Sequence, residues 1–477
     1  MLSRVGSNPT ARTTPKAVGF SDGLGCFCVM VHTMLFMGHA VFEVIAMHSI
    51  WTESAQLPRF APLKQDMKTD VLVIGGGIAG LLCTYMLQQA GVSCALVEAG
   101  RICGGITKDT TAKITAQHGL IYDKLIREFG LEKAKMYLHA NQKALEKYRD
   151  LCQTIDCGFQ ERNAVVYALD DRQKIERELA ALQKIGFSAK FAAELPLPFS
   201  VAGAVCFEGQ AQFHPLKFLS VIAEGLPIFE NTRVLNVMPG AAVTEHGTIK
   251  AEKIIVATHF PFLNRHGSYF LKLYQHRSYV LALKNGQQVQ DMYVDESDRG
   301  MSFRSFGDLL LLGGGGHRTA KKGGGWRELE AFTGQNYPNA RITARWATQD
   351  CMTLDGVPYV GQYSRHTPDL FVAAGFNKWG MTSAMAAAMV LVDLVQGKQN
   401  PYANLFSPSR TILRSQLAVN AGESALHLLT PTVPRCPHMG CALKYNRQEH
   451  SWDCPCHGSR FTHSGRLLDN PATKRKR

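Results

Sequence analysis

Asp70-Val-Leu-Val-Ile-Gly75-Gly-Gly77-Ile-Ala-Gly80 is the stretch that decides how this chain is read. The apolar run after Asp70 makes a short buried strand. A helical stretch then follows the glycines through about Ala90, before the turn at Gly91. Cys94-Ala-Leu-Val-Glu98 is a second strand, and it ends in an acid. Gly75 permits the tight turn, Gly77 lets backbone approach a pyrophosphate, and Gly80 lets helix pack closely on strand. The pyrophosphate would sit at the helix N-terminus, where free N–H groups and the dipole favour an anion. Glu98, 18 residues beyond Gly80, can hold both ribose hydroxyls of an adenosine. With strand, helix and acid all in place, a coincidental glycine turn is the weaker reading.

The residues after Glu98 choose between dinucleotides. Arg101-Ile-Cys-Gly104-Gly105-Ile-Thr107 is a second glycine turn, similar to the motif after the acid in FAD-dependent oxidoreductases. A second glycine fingerprint for a nicotinamide is not expected, because the runs Gly313–Gly316 and Gly323–Gly325 lead into no convincing helix. Lys253-Ile-Ile-Val-Ala-Thr258 reads as another strand toward the cofactor. Later, Asp369-Leu-Phe-Val-Ala-Ala-Gly375 runs through Phe376–Trp379 to Gly380-Met381-Thr382 and an alanine-rich helix ending near Gly397, with Pro401 beyond.

On these motifs, residues Lys68 to Phe406 resemble the D-amino-acid-oxidase-like family of FAD-dependent oxidoreductases, which includes glycine and sarcosine oxidases. The resemblance implies an α/β body: a Rossmann-like FAD-binding domain (about 69–159, 206–264 and 346–406) interleaved with a β-rich substrate domain (about 160–205 and 265–345). It places Gly75, Gly77, Gly80, Glu98, Gly104, Gly105, Thr107, Gly375, Gly380, Met381 and Thr382 at the FAD. The last helix would turn its N-terminus to the flavin's pyrimidine edge and stabilise negative charge there. The family commonly carries a carboxylate-gripping arginine in the segment matching Trp346 to Gly356. That position is Asp350 here, followed by Cys351, so an amine-like or cationic substrate fits better than an ordinary amino acid. His118, Arg277, Tyr279 and His317 are the candidates for the catalytic face, each weighed against a purely structural role. Dehydrogenation by flavin needs no side-chain nucleophile, so a missing triad counts against nothing.

The second decisive stretch is Cys436-Pro-His438-Met-Gly-Cys441, followed by Cys454-Pro-Cys456-His457-Gly458-Ser459. Cys436, His438, Cys454 and His457 form C-x-H and C-x2-H pairs, the ligand set of a Rieske [2Fe–2S] centre. Zinc is the competing metal, but zinc-finger histidines come together after the cysteines. Cys441 and Cys456 match positions that form a loop-bridging disulfide in Rieske proteins of the cytochrome bc type. Ser459 resembles the serine that donates to a bridging sulfide there. Phe461 stands where a tyrosine is usual and cannot donate, which implies an intermediate potential. Residues 407–435 read as a linker, and 436–477 as an abbreviated all-β Rieske module that leans on the flavin body or a partner.

The 477 residues favour more than one structural unit, and 45% hydrophobic with 19% charged residues is ordinary globular composition. A net charge of +13 raises nucleic-acid binding. The only dense basic run is Lys474–Arg477, and no nucleic-acid motif accompanies it. It reads as a solvated tail, with attraction of an acidic redox partner as the minority reading. Thirteen cysteines without framework spacing outside the cluster suit a reducing, cytoplasmic setting. Residues 1–46 are expected to be a non-native extension, with 47–68 as a lead segment. Gly6-Ser-Asn-Pro-Thr-Ala-Arg-Thr13 can be encoded by bases resembling the 3′ end of a transfer-RNA gene, and Met47 offers a later start. The alternatives for the charge-free run Gly23–Phe42 are a membrane anchor, a targeting segment or ordered structure; with Met47 as the start, no membrane partner is expected.

The combined expectation is an oxidoreductase, a dehydrogenase rather than an oxidase. It oxidises a small substrate at the flavin and passes electrons singly through the cluster to a protein or small-molecule acceptor. A reductase running the other way and a redox sensor without turnover are the alternatives. The chain as a whole resembles FAD-dependent oxidoreductases with a C-terminal Rieske domain.

Overall fold

The computed structural model describes residues 47–297, 300–431 and 434–476. The readings placed on residues 1–46, and Arg477 of the basic tail, lie outside the described residues. The glycine fingerprint folds as its spacing requires. Strand Met67–Ile74 leads into helix Ile78–Gln89, and strand Cys94–Val97 lies parallel beside the first. These sit in an eight-stranded sheet in the order Tyr359–Gln362, Leu370–Ala374, Thr248–Val256, Met67–Ile74, Cys94–Val97, Ile228–Phe229, with hairpin Val234–Thr244 attached to Thr248–Val256. The central strands are buried on both faces: helices Ile78–Gln89 and Gly380–Val395 cover one, and hairpin Val234–Thr244 with Phe260 and Tyr363 covers the other. Helices Ile78–Gln89 and Gly380–Val395 pack side by side, and Leu131–Cys152 packs on the second of them.

A nine-stranded sheet forms the other layer. Its order is Arg341–Thr353, Leu273–Lys284, Leu309–Arg318, Ser302–Phe306, Met292–Asp295, Gln160–Ala168, Gly203–Gln212, Lys113–Ile114, with Lys190–Ala192 also on Gly203–Gln212. It reaches beyond residues 160–205 and 265–345, because the antiparallel ladders of Leu273–Lys284 with Arg341–Thr353 and of Gln160–Ala168 with Gly203–Gln212 run past those limits. One sequence expectation is corrected here. Gly323–Gly325 does lead into a helix, Gly325–Asn336, stabilised by burying Trp326, Leu329 and Thr333 against this sheet. Gly313–Gly316 lies within strand Leu309–Arg318, antiparallel to both neighbours, so the pair does not build a second parallel dinucleotide-binding unit.

From Met47 onward the chain is bonded into this body. Trp51 is fully buried, its indole N–H donates to the Thr110 carbonyl at 2.7 Å, and its ring meets Phe306 edge-on.

Beyond Phe406, residues 415–429 form a helix that is tied down by Arg318 to Asn420 and by Lys321 to Glu423. A four-stranded antiparallel sheet comes next: Lys444–Asn446, Ser451–Asp453, Arg460–Thr462, Leu467–Asp469. Its core is small, formed by Cys436, Cys441, Leu443, Cys454, Cys456, Phe461 and Ala472. So small a core supplies little burial energy by itself. Among the described residues no helix is long and apolar enough to cross a membrane.

Candidate redox centre and cofactor cleft

A single cleft of about 1550 Å³ runs from the glycine fingerprint to the C-terminal module. That exceeds the ~300–1,000 Å³ of an ordinary ligand pocket and suits an extended dinucleotide with a substrate beside it. At one end are Gly75, Gly77, Glu98, Gly104, Gly105 and Thr107. Gly75 has φ +111°, and a Cβ there would meet the Ala257 carbonyl at 2.6 Å. A Cβ at Gly80 would stand 1.9 Å from the Gly75 carbonyl oxygen, so only glycine lets this helix approach its strand. The Glu98 carboxylate accepts from the Gly76 and Gly100 N–H groups at 2.7 and 2.8 Å, which fixes it at the rim. Thr107 accepts from the Ile78 N–H at 3.1 Å, binding the second glycine turn to the helix N-terminus. This backbone cradle fits the adenosine diphosphate half of FAD.

At the other end the wall is Phe376 to Met381, with His118 against it. His118 stacks on Trp379 with ring centroids 5.1 Å apart. Its Nε2 lies 2.8 Å from both the Thr115 carbonyl and the Thr382 hydroxyl, and its Nδ1 lies 2.7 Å from the Tyr137 hydroxyl. Burial pushes its pKa down to about 3, so the ring is neutral and can donate from Nε2 while accepting at Nδ1. Gly375, at φ +74°, lies behind this wall, where a Cβ would meet the Thr353 methyl at 2.3 Å. Asp350 also lines the cleft, and burial pushes its carboxyl up to about 6 despite the nearby Lys378.

The other nominated residues divide. Tyr279 lines the cleft, whereas Arg277 and His317 stand behind it. All three meet Glu449 of the C-terminal module directly or through one another. Arg277 Nε donates to Glu449 at 3.1 Å with a second, shorter bond from its Nη2. The Tyr279 hydroxyl lies 3.0 Å from both Glu449 and His317 Nε2. Glu449 in turn accepts from Arg460 at 2.6 Å, and Arg460 also binds Asp453 at 3.0 Å and Asp469 at 2.9 Å. Burial alone would raise the Glu449 pKa, but Arg277 and Arg460 pull it down to about 2. A depressed carboxylate stabilises the fold above its ordinary value of 4.5, and that contribution is lost as pH falls toward 2. Acidification from about pH 4.5 to 2 should therefore loosen the module. Hydrogen exchange of residues 444–453 should show that loss in the native protein, and no acid step there in Glu449→Gln.

The two ligand loops face this same body. The Cys436 and Cys454 thiols hydrogen-bond to each other, and with the His438 and Met439 N–H groups and the Ser459 hydroxyl this draws Cys436 down to about 7. Burial pushes His438 to about 4 and His457 to about 3, leaving both imidazoles neutral, the form that binds metal. Their rings are 4.9 Å apart at 86°. His438 Nδ1 is buried with no hydrogen-bond partner, a donor atom aimed at nothing in the protein. The Cys441 sulfur lies near Cys454 and His457 but stands at disulfide distance from Cys456, so the two loops are cross-linked and Cys436 and Cys454 remain as thiols. Two facing thiols, two neutral imidazoles and an unpartnered nitrogen fit an iron–sulfur cluster held by two cysteines and two histidines.

The module was expected to lean on the flavin body or a partner; it leans on the body, through residues that the sequence did not single out. Residues Leu467 to Asn470, with Ala472 and Thr473, line the cofactor cleft. The Asn470 amide donates to the Thr258 and Phe260 carbonyls of the body. The Ala472 N–H donates to the Ser459 hydroxyl at 2.9 Å, and Ser459 in turn contacts Cys436. The module's last strand and the residues after it thus form part of the cleft wall, and Ala472 sits two hydrogen bonds from a candidate ligand. Gln349 adds a bond to the Gly458 carbonyl at 2.9 Å.

Comparison with known proteins agrees with this geometry. The FAD dependent oxidoreductase family model matches residues 70–394, and the Rieske [2Fe-2S] domain model matches 409–476. A Rieske 2Fe-2S iron-sulfur protein of Bacillus subtilis (YhfW) is 34% identical over 504 aligned positions, covering 92% of this chain and 98% of its own. Glycine oxidase from Geobacillus kaustophilus superposes with a TM-score of 0.61 at 21% identity, over 72% of this chain and 99% of that one. L-proline dehydrogenase from P. horikoshii gives 0.61 at 18% identity, over 73% and 98%. These two likenesses are of fold.

Proposed function

This chain belongs to the FAD dependent oxidoreductase family and carries a C-terminal Rieske [2Fe–2S] domain, and from that premise we propose that it is a dehydrogenase for a small amine-like substrate that delivers electrons singly to an acceptor. FAD takes up two electrons as a hydride equivalent, and a [2Fe–2S] cluster carries one at a time. The observation that carries the reading is the shared wall: Leu467 to Asn470, Ala472 and Thr473 of the cluster-bearing module line the cofactor cleft. A simple oxidase has no use for such a joint.

In this reading Gly75, Gly77, Gly80, Glu98, Gly104, Gly105 and Thr107 hold the adenosine diphosphate portion. Gly375, Gly380, Met381 and Thr382 shape the flavin end, where neutral His118 orients the wall. Cys436, His438, Cys454 and His457 are the cluster ligands. Asp350 receives the substrate ammonium, and Tyr279 borders the substrate space. Arg277 and His317 act through Glu449, by fixing the module against the cleft.

The experiment is anaerobic mixing of the purified protein with a panel of primary and secondary amines, following flavin absorbance and the cluster EPR signal together. An amine that bleaches the flavin and then brings up the reduced-cluster signal supports the proposal. Bleaching without any cluster reduction, followed by rapid reoxidation in oxygen, would identify an oxidase instead. Asp350→Asn should raise KM for a cationic substrate about tenfold to a hundredfold, the value of ~1.5–3 kcal/mol for a charge-assisted hydrogen bond. Because Asp350 ionises near pH 6, kcat/KM should rise with pH through that value in the native protein and not in the variant.

A further inference from the structure

We propose that Asn264, a residue of the flavin body, is a positioning residue for cluster ligand His438, so that docking of the module tunes the cluster itself. The inference rests on the ligand assignment above and extends it to a residue outside the Rieske domain.

Asn264 belongs to the connection between strand Thr248–Val256 of the cofactor sheet and the short helix Tyr269–Lys272. Its Oδ1 lies 2.9 Å from His438 Nε2. The opposite nitrogen, Nδ1, is buried and has no partner. A neutral imidazole carries one N–H and one lone pair. An amide oxygen at Nε2 selects the tautomer with hydrogen on Nε2, which leaves the Nδ1 lone pair for iron. The same connection, with the helix that ends it, supports the second histidine. The Phe260 and Phe270 rings flank His457, each at 6.3 Å and nearly edge-on. Both imidazoles therefore abut one stretch of the flavin body, and His438 makes its only side-chain hydrogen bond among the described residues to it.

The electronic consequence has a definite sign. A ligand that donates its outer N–H to an acceptor becomes more basic toward the metal. A more basic ligand stabilises the oxidised, more positive cluster and lowers its midpoint potential. Removing the acceptor should raise the potential, and a carboxylate in its place should lower it. A loop residue with a purely structural role would move both variants the same way, or neither.

The test is an EPR-monitored redox titration of the cluster in the full-length holoprotein, with iron content measured alongside. Asn264→Ala should shift the midpoint upward and Asn264→Asp downward. Each shift should reach about a tenfold change in the reduced-to-oxidised ratio at fixed poise, or about 59 mV for one electron. Unchanged midpoints, or shifts of the same sign with iron retained, would overturn the role of Asn264 while leaving the ligand assignment standing. If His438→Ala retained the native histidine-ligated signal, the ligand assignment would fall, and the role of Asn264 with it. The Asp variant is nearly isosteric with Asn, so a folded protein is available even if the alanine variant is unstable.

Discussion

Arg460→Ala should empty the C-terminal module of its cluster while leaving the flavin body folded and yellow. Arg460 is buried, and its guanidinium bonds Asp453, Asp469 and Glu449, with the Ser451 hydroxyl as a fourth partner. Two buried guanidiniums, Arg460 and Arg277, face three carboxylates in this network. Taking one away leaves buried negative charge without compensation, which costs about 3–5 kcal/mol. Domains have only ~5–15 kcal/mol in total, and this module's core is seven residues. Lysine should not rescue, because a single ammonium cannot reproduce the planar fork that reaches three acids. Iron analysis and EPR report the loss, and the flavin spectrum reports the intact body. Full cluster occupancy in Arg460→Ala would mean that the network contributes little.

The second large effect is expected at the other cofactor. Gly80→Ala should abolish stable FAD retention, because its Cβ would lie 1.9 Å from the Gly75 carbonyl oxygen. Neither partner can give way cheaply: one is helix backbone, the other the turn that approaches the pyrophosphate. The helix must shift outward and take its anion-binding N–H groups with it. Overpacking of this kind costs about 1–3 kcal/mol or more, which is roughly a tenfold to hundredfold loss of FAD affinity. Gly334→Ala is the control, since a Cβ there meets nothing within 4 Å on an exposed helical face. Flavin-to-protein ratio after gel filtration separates the two. Equal retention would show that the close approach of helix and strand is not required.

Much of the fold was legible because its signals are local. Gly75 to Gly80 and Cys94 to Glu98 specify strand, turn, helix and strand within a short run of chain, and the structure has each of them. The four candidate ligands are likewise set by short spacings. The contacts of Arg277, Tyr279 and, through Tyr279, His317 were not legible, since they converge on Glu449, about 130–170 residues away in an inconspicuous Arg-Gln-Glu-His turn. Pairings at that separation leave no periodicity. Asn264 was hidden for the same reason, being one polar residue in an irregular connection. Residues 415–429 lacked a capping side chain and an acid in the first turn, and their helix is held by contacts from Arg318 and Lys321. The helix after Gly323–Gly325 was overlooked because glycines mask its start, whereas its buried Trp326, Leu329 and Thr333 do follow helical spacing.

The shared cleft wall also has a consequence for biogenesis. Chains fold from the N-terminal side as they emerge, at about 5–20 residues per second. The glycine cradle can form early, but the cavity lacks residues 467–473 until the ligand loops have been made and the last strand has docked. Flavin captured before that moment sits in an open groove. Maturation is therefore ordered by chain position: the groove comes first, and docking of the last strand, through Asn470 on the Thr258 and Phe260 carbonyls, closes it.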